Sequence, residues 1–139
     1  MEATKLRVAD VDLEVVECGR GRPLLFLHGG GGFEARQPFA VPLSAKRPTD
    51  RPLASGFGKS GLPDWLDSVD DIAHLYLELM DQLDLRDLDV VGCSIGGWIA
   101  AEMATKSLER IRWLVLVSPV GHIRTINCRS TLTFADTCK

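Results

Sequence analysis

Val90-Val91-Gly92-Cys93-Ser94-Ile95-Gly96-Gly97 is a β-branched run that stops at a serine set between glycines and then turns helical. A serine hydroxyl is a poor nucleophile until it is held exposed beside a base, and a sharp strand-to-helix turn does the holding. Such a turn strains the serine backbone and crowds its neighbours, so the positions two before and two after it must be nearly free of side chain. Gly92 and Gly96 occupy them. The helix that follows aims its amino end at the serine, so the Ile95 N–H and the positive end of the helix dipole face any oxyanion that forms there. A five-residue GxSxG pattern recurs by chance, and context decides it. Leu88 to Cys93 has strand character, and Ile99, Met103 and small alanines share one face of the following helix. The stretch therefore reads as a nucleophile elbow rather than a glycine-rich loop with a bystander serine.

A second glycine cluster lies upstream, where the apolar strand Pro23–Leu27 runs into His28-Gly29-Gly30-Gly31-Gly32. Acyl transfer needs a second main-chain N–H aimed at the developing oxyanion, and glycines let backbone approach a substrate that side chains would fend off. Gly30 is the first choice for that donor and Gly31 the next. Because the donor is a backbone amide, the pattern fixes its register only to about one residue.

With both stretches in view, the chain resembles the α/β-hydrolase family, in particular the serine-nucleophile branch that contains carboxylesterases and carbon–carbon bond hydrolases. The resemblance runs from about residue 5 to 120 and rests on LLFLHGGGG, GFGKSGLPDW, the helix after Ser68, VVGCSIGGW and RIRWLVLVSPVG. It implies Ser94 as the nucleophile, the Ile95 and Gly30 amides as the oxyanion hole, and a structural His28 that buttresses the oxyanion loop. Cys93 sits at the variable position of the elbow, where packing is the expected role.

Composition sets the bounds. With 139 residues, 45% of them hydrophobic and 25% charged, the chain can build one modest core and not two. A net charge of −3 supplies no basic field for phosphate backbones, which argues against nucleic acid as a partner. Met1 to Asp12 mixes apolar and charged residues without a signal-like apolar core, and no run approaches the roughly 18 apolar residues that span a bilayer. A cytoplasmic protein without membrane contact is the expectation. Cysteines 18, 93, 128 and 138 have neither CxxC nor zinc-ligand spacing and read as free thiols.

Along the chain, Leu6 to Cys18 alternates as two short antiparallel strands around Ala9-Asp10. Ser68-Val69-Asp70-Asp71 resembles a capping box and opens a helix with Ile72, Leu75, Tyr76, Leu79 and Leu83 on one face, leaving His74 in solvent. Strand, elbow, helix and the strand Ile111–Val117 form a βαβ unit, which requires a right-handed crossover and a parallel sheet. Gly56-Phe57-Gly58-Lys59-Ser60-Gly61 matches GxGxxG, but Arg51-Pro52 before it and Leu62-Pro63 after it deny the flanking strand and helix of a dinucleotide site. A phosphate loop would need glycine where Leu53 stands. No cofactor or metal site is expected.

Two segments depart from the family pattern. Residues 41–53 carry three prolines and four charges where the family has a buried strand. Each proline removes a ladder donor, and an unpaired buried charge costs on the order of several kcal/mol, so this segment is expected to be irregular. After Gly121 the family order of serine, acid and histidine also fails. His122 is the sole histidine after Ser94, Asp136 lies on its wrong side, and Glu102 and Glu109 are expected to face solvent.

The expected fold class is α/β, a partial α/β-hydrolase fold with a mostly parallel sheet flanked by helices, its lid and carboxyl-terminal part missing. Residues 1–121 form the amino-terminal part of the domain and 122–139 a poorly ordered tail. The expected function is that of a serine hydrolase for ester or related acyl or carbon–carbon bonds in a small-molecule substrate. The absent triad leaves it truncated and weakly active or inactive, with His122 the one candidate base. The alternative is a non-enzymatic α/β remnant that binds a partner, or itself, through an exposed sheet edge.

Overall fold

The computed structural model describes residues 2–18, 22–32, 49–52, 59–121 and 131–134. The alternating amino terminus forms β1 (Glu2–Val8) and β2 (Val11–Cys18), an antiparallel hairpin in register from Glu2↔Glu17 to Val8↔Val11. Ala9 turns it with φ of 51°. Period-two alternation puts Val11, Leu13 and Val15 of β2 on the buried face.

Five further strands complete the sheet: β3 (Leu24–Leu27), β4 (Thr49–Pro52), β5 (Leu88–Cys93), β6 (Ile111–Val117) and β7 (Thr131–Phe134). Their spatial order is β1-β2-β4-β3-β5-β6-β7. The contacts from β4 through β7 are all parallel, and the hairpin joins antiparallel through β2 and β4. From β3 the chain steps to β4 on one side and later to β5 on the other. The carboxyl ends of β3 and β5 therefore border a topological switch point, where open α/β sheets leave a crevice for a ligand.

One expectation fails here in part. Residues 41–53 are not irregular throughout, since Thr49–Pro52 is a strand inside the sheet. It fits because the strand is short and the prolines fall at its limits. Pro48 precedes it and Pro52 ends it, and the ladder to β3 engages only Thr49 and Asp50, so the chain keeps its donors where that ladder needs them. Residues 41–48 and 53 lie outside the described residues. Within the segment 122–139, Thr131–Phe134 pairs with Leu114–Val117 as β7, and residues 122–130 and 135–139 lie outside the described residues.

Helix α1 (Val69–Gln82) starts in a true capping box. The Ser68 hydroxyl accepts the Asp71 N–H at 3.1 Å, and the Asp71 carboxylate accepts the Ser68 N–H at 3.1 Å. Its apolar stripe buries Ala73, Leu75, Tyr76, Leu79 and Met80, with Ile72 and Leu83 half-buried at the margin and His74 exposed beside Asp70. Helix α2 (Ile95–Lys106) packs on α1, and both cover the sheet face that carries Leu25, Leu27, Val90, Leu114 and Leu116. No helix among the described residues is long and apolar enough to cross a membrane.

The Lys59-Ser60-Gly61 end of the GxGxxG look-alike latches the hairpin. The Lys59 N–H donates to the Glu14 carboxylate at 2.8 Å, Ser60 Oγ accepts the Glu14 N–H at 3.0 Å, and the Gly61 N–H donates to the Asp12 carbonyl at 2.8 Å. These groups bind the protein's own hairpin, as a structural loop should.

Candidate active site

Strand β5 ends at Cys93 and α2 begins at Ile95, which leaves Ser94 alone at the junction with φ 53° and ψ −117°. A left-handed φ on a non-glycine residue costs about 1–3 kcal/mol and persists only where the surroundings over-determine it. A serine that caps a helix keeps an extended backbone and folds its hydroxyl onto the first amides. Ser94 does neither, and its hydroxyl makes no capping bond.

The surroundings that hold it are visible. The Ser94 N–H donates to the Val117 carbonyl at 3.0 Å. Its own carbonyl accepts from Gly97 at 3.0 Å, Trp98 at 3.3 Å and Val120 at 3.2 Å. Gly92 and Gly96 allow the close approach the elbow needs. A Cβ on Gly92 would stand 2.7 Å from Gly97 Cα, and one on Gly96 would stand 2.6 Å from the His28 carbonyl oxygen. Both are backbone contacts that no side-chain rotation relieves.

Parallel pairing of β3 with β5, as far as Leu27↔Gly92, makes the glycine loop and the elbow leave the sheet side by side. The loop is a turn closed by the Gly32 N–H on the Gly29 carbonyl at 3.0 Å, which commits the Gly32 amide to the turn. Of the loop's glycines Gly29 lies nearest Ser94, for a Cβ there would be 3.3 Å from Ser94 Cβ. Among the described residues, a Cβ on Gly30 or Gly31 would meet nothing within 4 Å, and neither residue has a left-handed φ. The fold therefore makes no steric demand for glycine at these two positions. Across from them, Ile95 is the first residue of α2, where an N–H has no acceptor within its own helix.

His28 is buried, 3% exposed, with its ring Nδ1 2.7 Å from the Gly29 carbonyl. A carbonyl can only accept, which assigns the proton to Nδ1. Burial pushes the His28 pKa down, against the smaller opposing pull of that bond. A neutral ring bonded to the loop's own main chain suits a buttress. Burial likewise raises the pKa of the half-buried Cys93 thiol, so it stays protonated and does not compete as a nucleophile.

The candidate base His122 lies outside the described residues. Glu102 is half-buried rather than facing solvent. It accepts from Trp98 Nε1 at 3.3 Å and lies 3.5 Å from Lys106 Nζ, two turns and about 12 Å along α2 from Ser94. Glu109 is exposed, as expected, and accepts from Ser107 Oγ at 2.7 Å. Neither is placed to serve as a triad acid. The sequence reading passed over Gly29, Val117, Val120 and Trp98. A small residue at Gly97 and the Pro119–Gly121 turn after an apolar strand are the signals that another segment closes on the elbow.

A model of the alpha/beta hydrolase family matches residues 24–136. The 2-hydroxymuconate semialdehyde hydrolase of Pseudomonas sp. strain CF600 is 30% identical over 125 residues, covering 81% of this chain and 42% of that protein. A 1-acylglycerol-3-phosphate O-acyltransferase, ABHD5, of Rattus norvegicus is 31% identical over 104 residues, covering 71% and 30%. Among solved structures, a variant of the meta-cleavage product hydrolase CumD aligns with a TM-score of 0.76 at 28% identity, covering 85% of this chain and 45% of that one. The chain thus spans well under half the length of these relatives.

Proposed function

Because the chain belongs to the alpha/beta hydrolase family, we propose that it is a serine hydrolase for ester or related acyl or carbon–carbon bonds, with Ser94 as nucleophile. The observation that carries this reading is the strained Ser94 backbone at the carboxyl end of β5, directly beside Gly29 of the glycine loop. Ser94 Oγ adds to the acyl carbon of a small-molecule substrate, and the carbonyl electron pair moves onto oxygen. The Ile95 amide and that of Gly30, or of Gly31 one residue on, receive this oxyanion. Collapse expels the leaving group with a proton and leaves an acyl-serine, which water hydrolyses to regenerate the hydroxyl.

The proton taken from Ser94 needs a base, and His122 is the candidate. An oxyanion hole and binding without a working base retain on the order of 10³ to 10⁴ over water, so slow turnover of activated esters is expected. The family match and the similarity to a 2-hydroxymuconate semialdehyde hydrolase and a meta-cleavage product hydrolase support hydrolysis as the reaction class and leave the substrate open.

The test is covalent capture. A fluorophosphonate should form one adduct, found by peptide mass spectrometry on the peptide containing Ser94 and lost in Ser94→Ala. Absence of any adduct, or an adduct that survives Ser94→Ala, would refute the reading and favour a non-enzymatic binding module.

A further inference from the structure

Of the four hydrogen bonds on the Ser94 main chain, two come from outside its own helix. One goes to Val117 and the other comes from Val120, on either side of a single turn after β6. The strained backbone of the nucleophile is therefore tied to the Ser118–Gly121 turn. That turn has its own unusual conformations, with φ of 42° at Ser118 and +94° at Gly121. Two contacts press it onto α2. A Cβ on Gly97 would stand 2.8 Å from Pro119 Cβ, and one on Gly121 would stand 2.8 Å from Trp98 Cε2, so Gly121 lies directly against the indole. The indole is itself fixed, since its N–H donates to Glu102 at 3.3 Å.

We propose that Trp98 is a positioning residue for Ser94, acting through the Ser118–Gly121 turn that it holds against the elbow. The proposal rests on the hydrolase reading of Ser94 and assigns Trp98 no contact with substrate. The flat indole sets how closely Gly121 approaches α2. Val120 follows, and its N–H holds the Ser94 carbonyl in the orientation that keeps the hydroxyl off the helix amides. A Trp98 that only filled space would raise global stability and leave the reactivity of the folded protein unchanged.

The experiment uses the full chain with two readouts. One is fluorophosphonate labelling resolved into kinact and KI, and the other is hydrogen exchange at the Ser94 and Val120 amides. Trp98→Ala should lower kinact by roughly tenfold or more, with KI unchanged within about twofold, and should speed Val120 exchange, because misplacing a reacting group is felt in the rate step. Trp98→Phe keeps a flat ring and should recover most of the loss, whereas Trp98→Leu should not. Gly121→Ala forces the turn off the indole and should reproduce Trp98→Ala, which keeps the test available if Trp98→Ala does not fold. Wild-type kinact and Val120 protection in Trp98→Ala or Gly121→Ala, or recovery by leucine as full as by phenylalanine, would overturn the proposal. If wild-type protein takes no label, the hydrolase reading falls separately. Amide exchange then decides the clasp, and unchanged Val120 exchange in the variants overturns it.

Discussion

Replacing Gly96 with alanine sets two effects of known sign against each other. Within a helix, alanine is favoured over glycine by up to about 1 kcal/mol, so propensity alone predicts a more stable protein. Against this, the added Cβ would stand 2.6 Å from the His28 carbonyl oxygen and closer still to that of Leu27. Both oxygens belong to main chain at the end of β3, a fully buried strand whose last residue, Leu27, is paired with Gly92 of β5, so it has little freedom to retreat. Overpacking of this kind costs about 1–3 kcal/mol, and contact with backbone on a central strand puts Gly96→Ala at the upper end. The net expectation is a loss of about 2 kcal/mol, which for a chain of this length lowers Tm by roughly 6–8 °C. Urea and thermal melts followed by circular dichroism measure it. Gly30→Ala is the internal control, since a Cβ there meets nothing, and its stability should stay within about 0.5 kcal/mol of wild type. A Gly96→Ala protein as stable as wild type would refute the reasoning. It would mean that α2 does not press on β3 and that the elbow stands away from the glycine loop.

Three further outcomes are expected. If Ser94 and the Gly30 amide act as proposed, Gly30→Ala should slow fluorophosphonate labelling of Ser94 by roughly tenfold while leaving the melt unchanged, because the added methyl crowds the proposed seat of the substrate oxygen. Ser94→Gly should abolish labelling and raise stability by about 1 kcal/mol, visible in the same melts, since glycine accepts φ of 53° without strain. Burial of neutral His28 sets its folded pKa below the ordinary histidine value of 6.5, so acid charges the unfolded chain before the folded one. Its contribution is complete above pH 6.5 and is lost as pH falls through the folded value. Tm measured from pH 7.5 down to 5 should drop more steeply in wild type than in His28→Asn.

The elements set by local chemistry were legible in the sequence. Alternation marked the β1–β2 hairpin, the Ser68–Asp71 pair marked the start of α1, and the glycines around Ser94 marked the junction of β5 and α2. Strand β4 was not legible, because three prolines in 41–53 weigh against a strand in any tally that ignores where they fall. Pro48 precedes the four-residue strand and Pro52 is its last residue, and the pairing that makes Thr49–Pro52 a strand comes from β2 and β3, distant in sequence. Thr131–Phe134 is similarly short, and its partner Leu114–Val117 is the reason it is a strand. For the candidate site, the strained turn at Ser94 was legible from its neighbouring glycines, but the main-chain hydrogen bonds to Val117 and Val120 were not, since such a bond leaves no mark on residue type. The Gly121 approach to Trp98 left a faint one.

The placement of β3 beside β5 also governs the order in which this protein acquires its parts. Leu24 and Asp89 meet across about 65 residues of chain, and closing that loop costs on the order of 3 kcal/mol more entropy than closing the tight turn at Ala9-Asp10. The hairpin can therefore nucleate early, while the β3–β5 pairing that brings Gly29 against Ser94 belongs late on the folding path. Until β3 and β6 have both paired with β5, the set of contacts that holds Ser94 in its strained geometry is incomplete. Strain incurred after the rate-limiting barrier does not slow folding. It speeds unfolding, so Ser94→Gly should lower the intercept of the unfolding limb, keep its slope, and leave the refolding rate as it is. Selection for a poised serine in such a topology is paid in native-state lifetime, with the speed of assembly untouched.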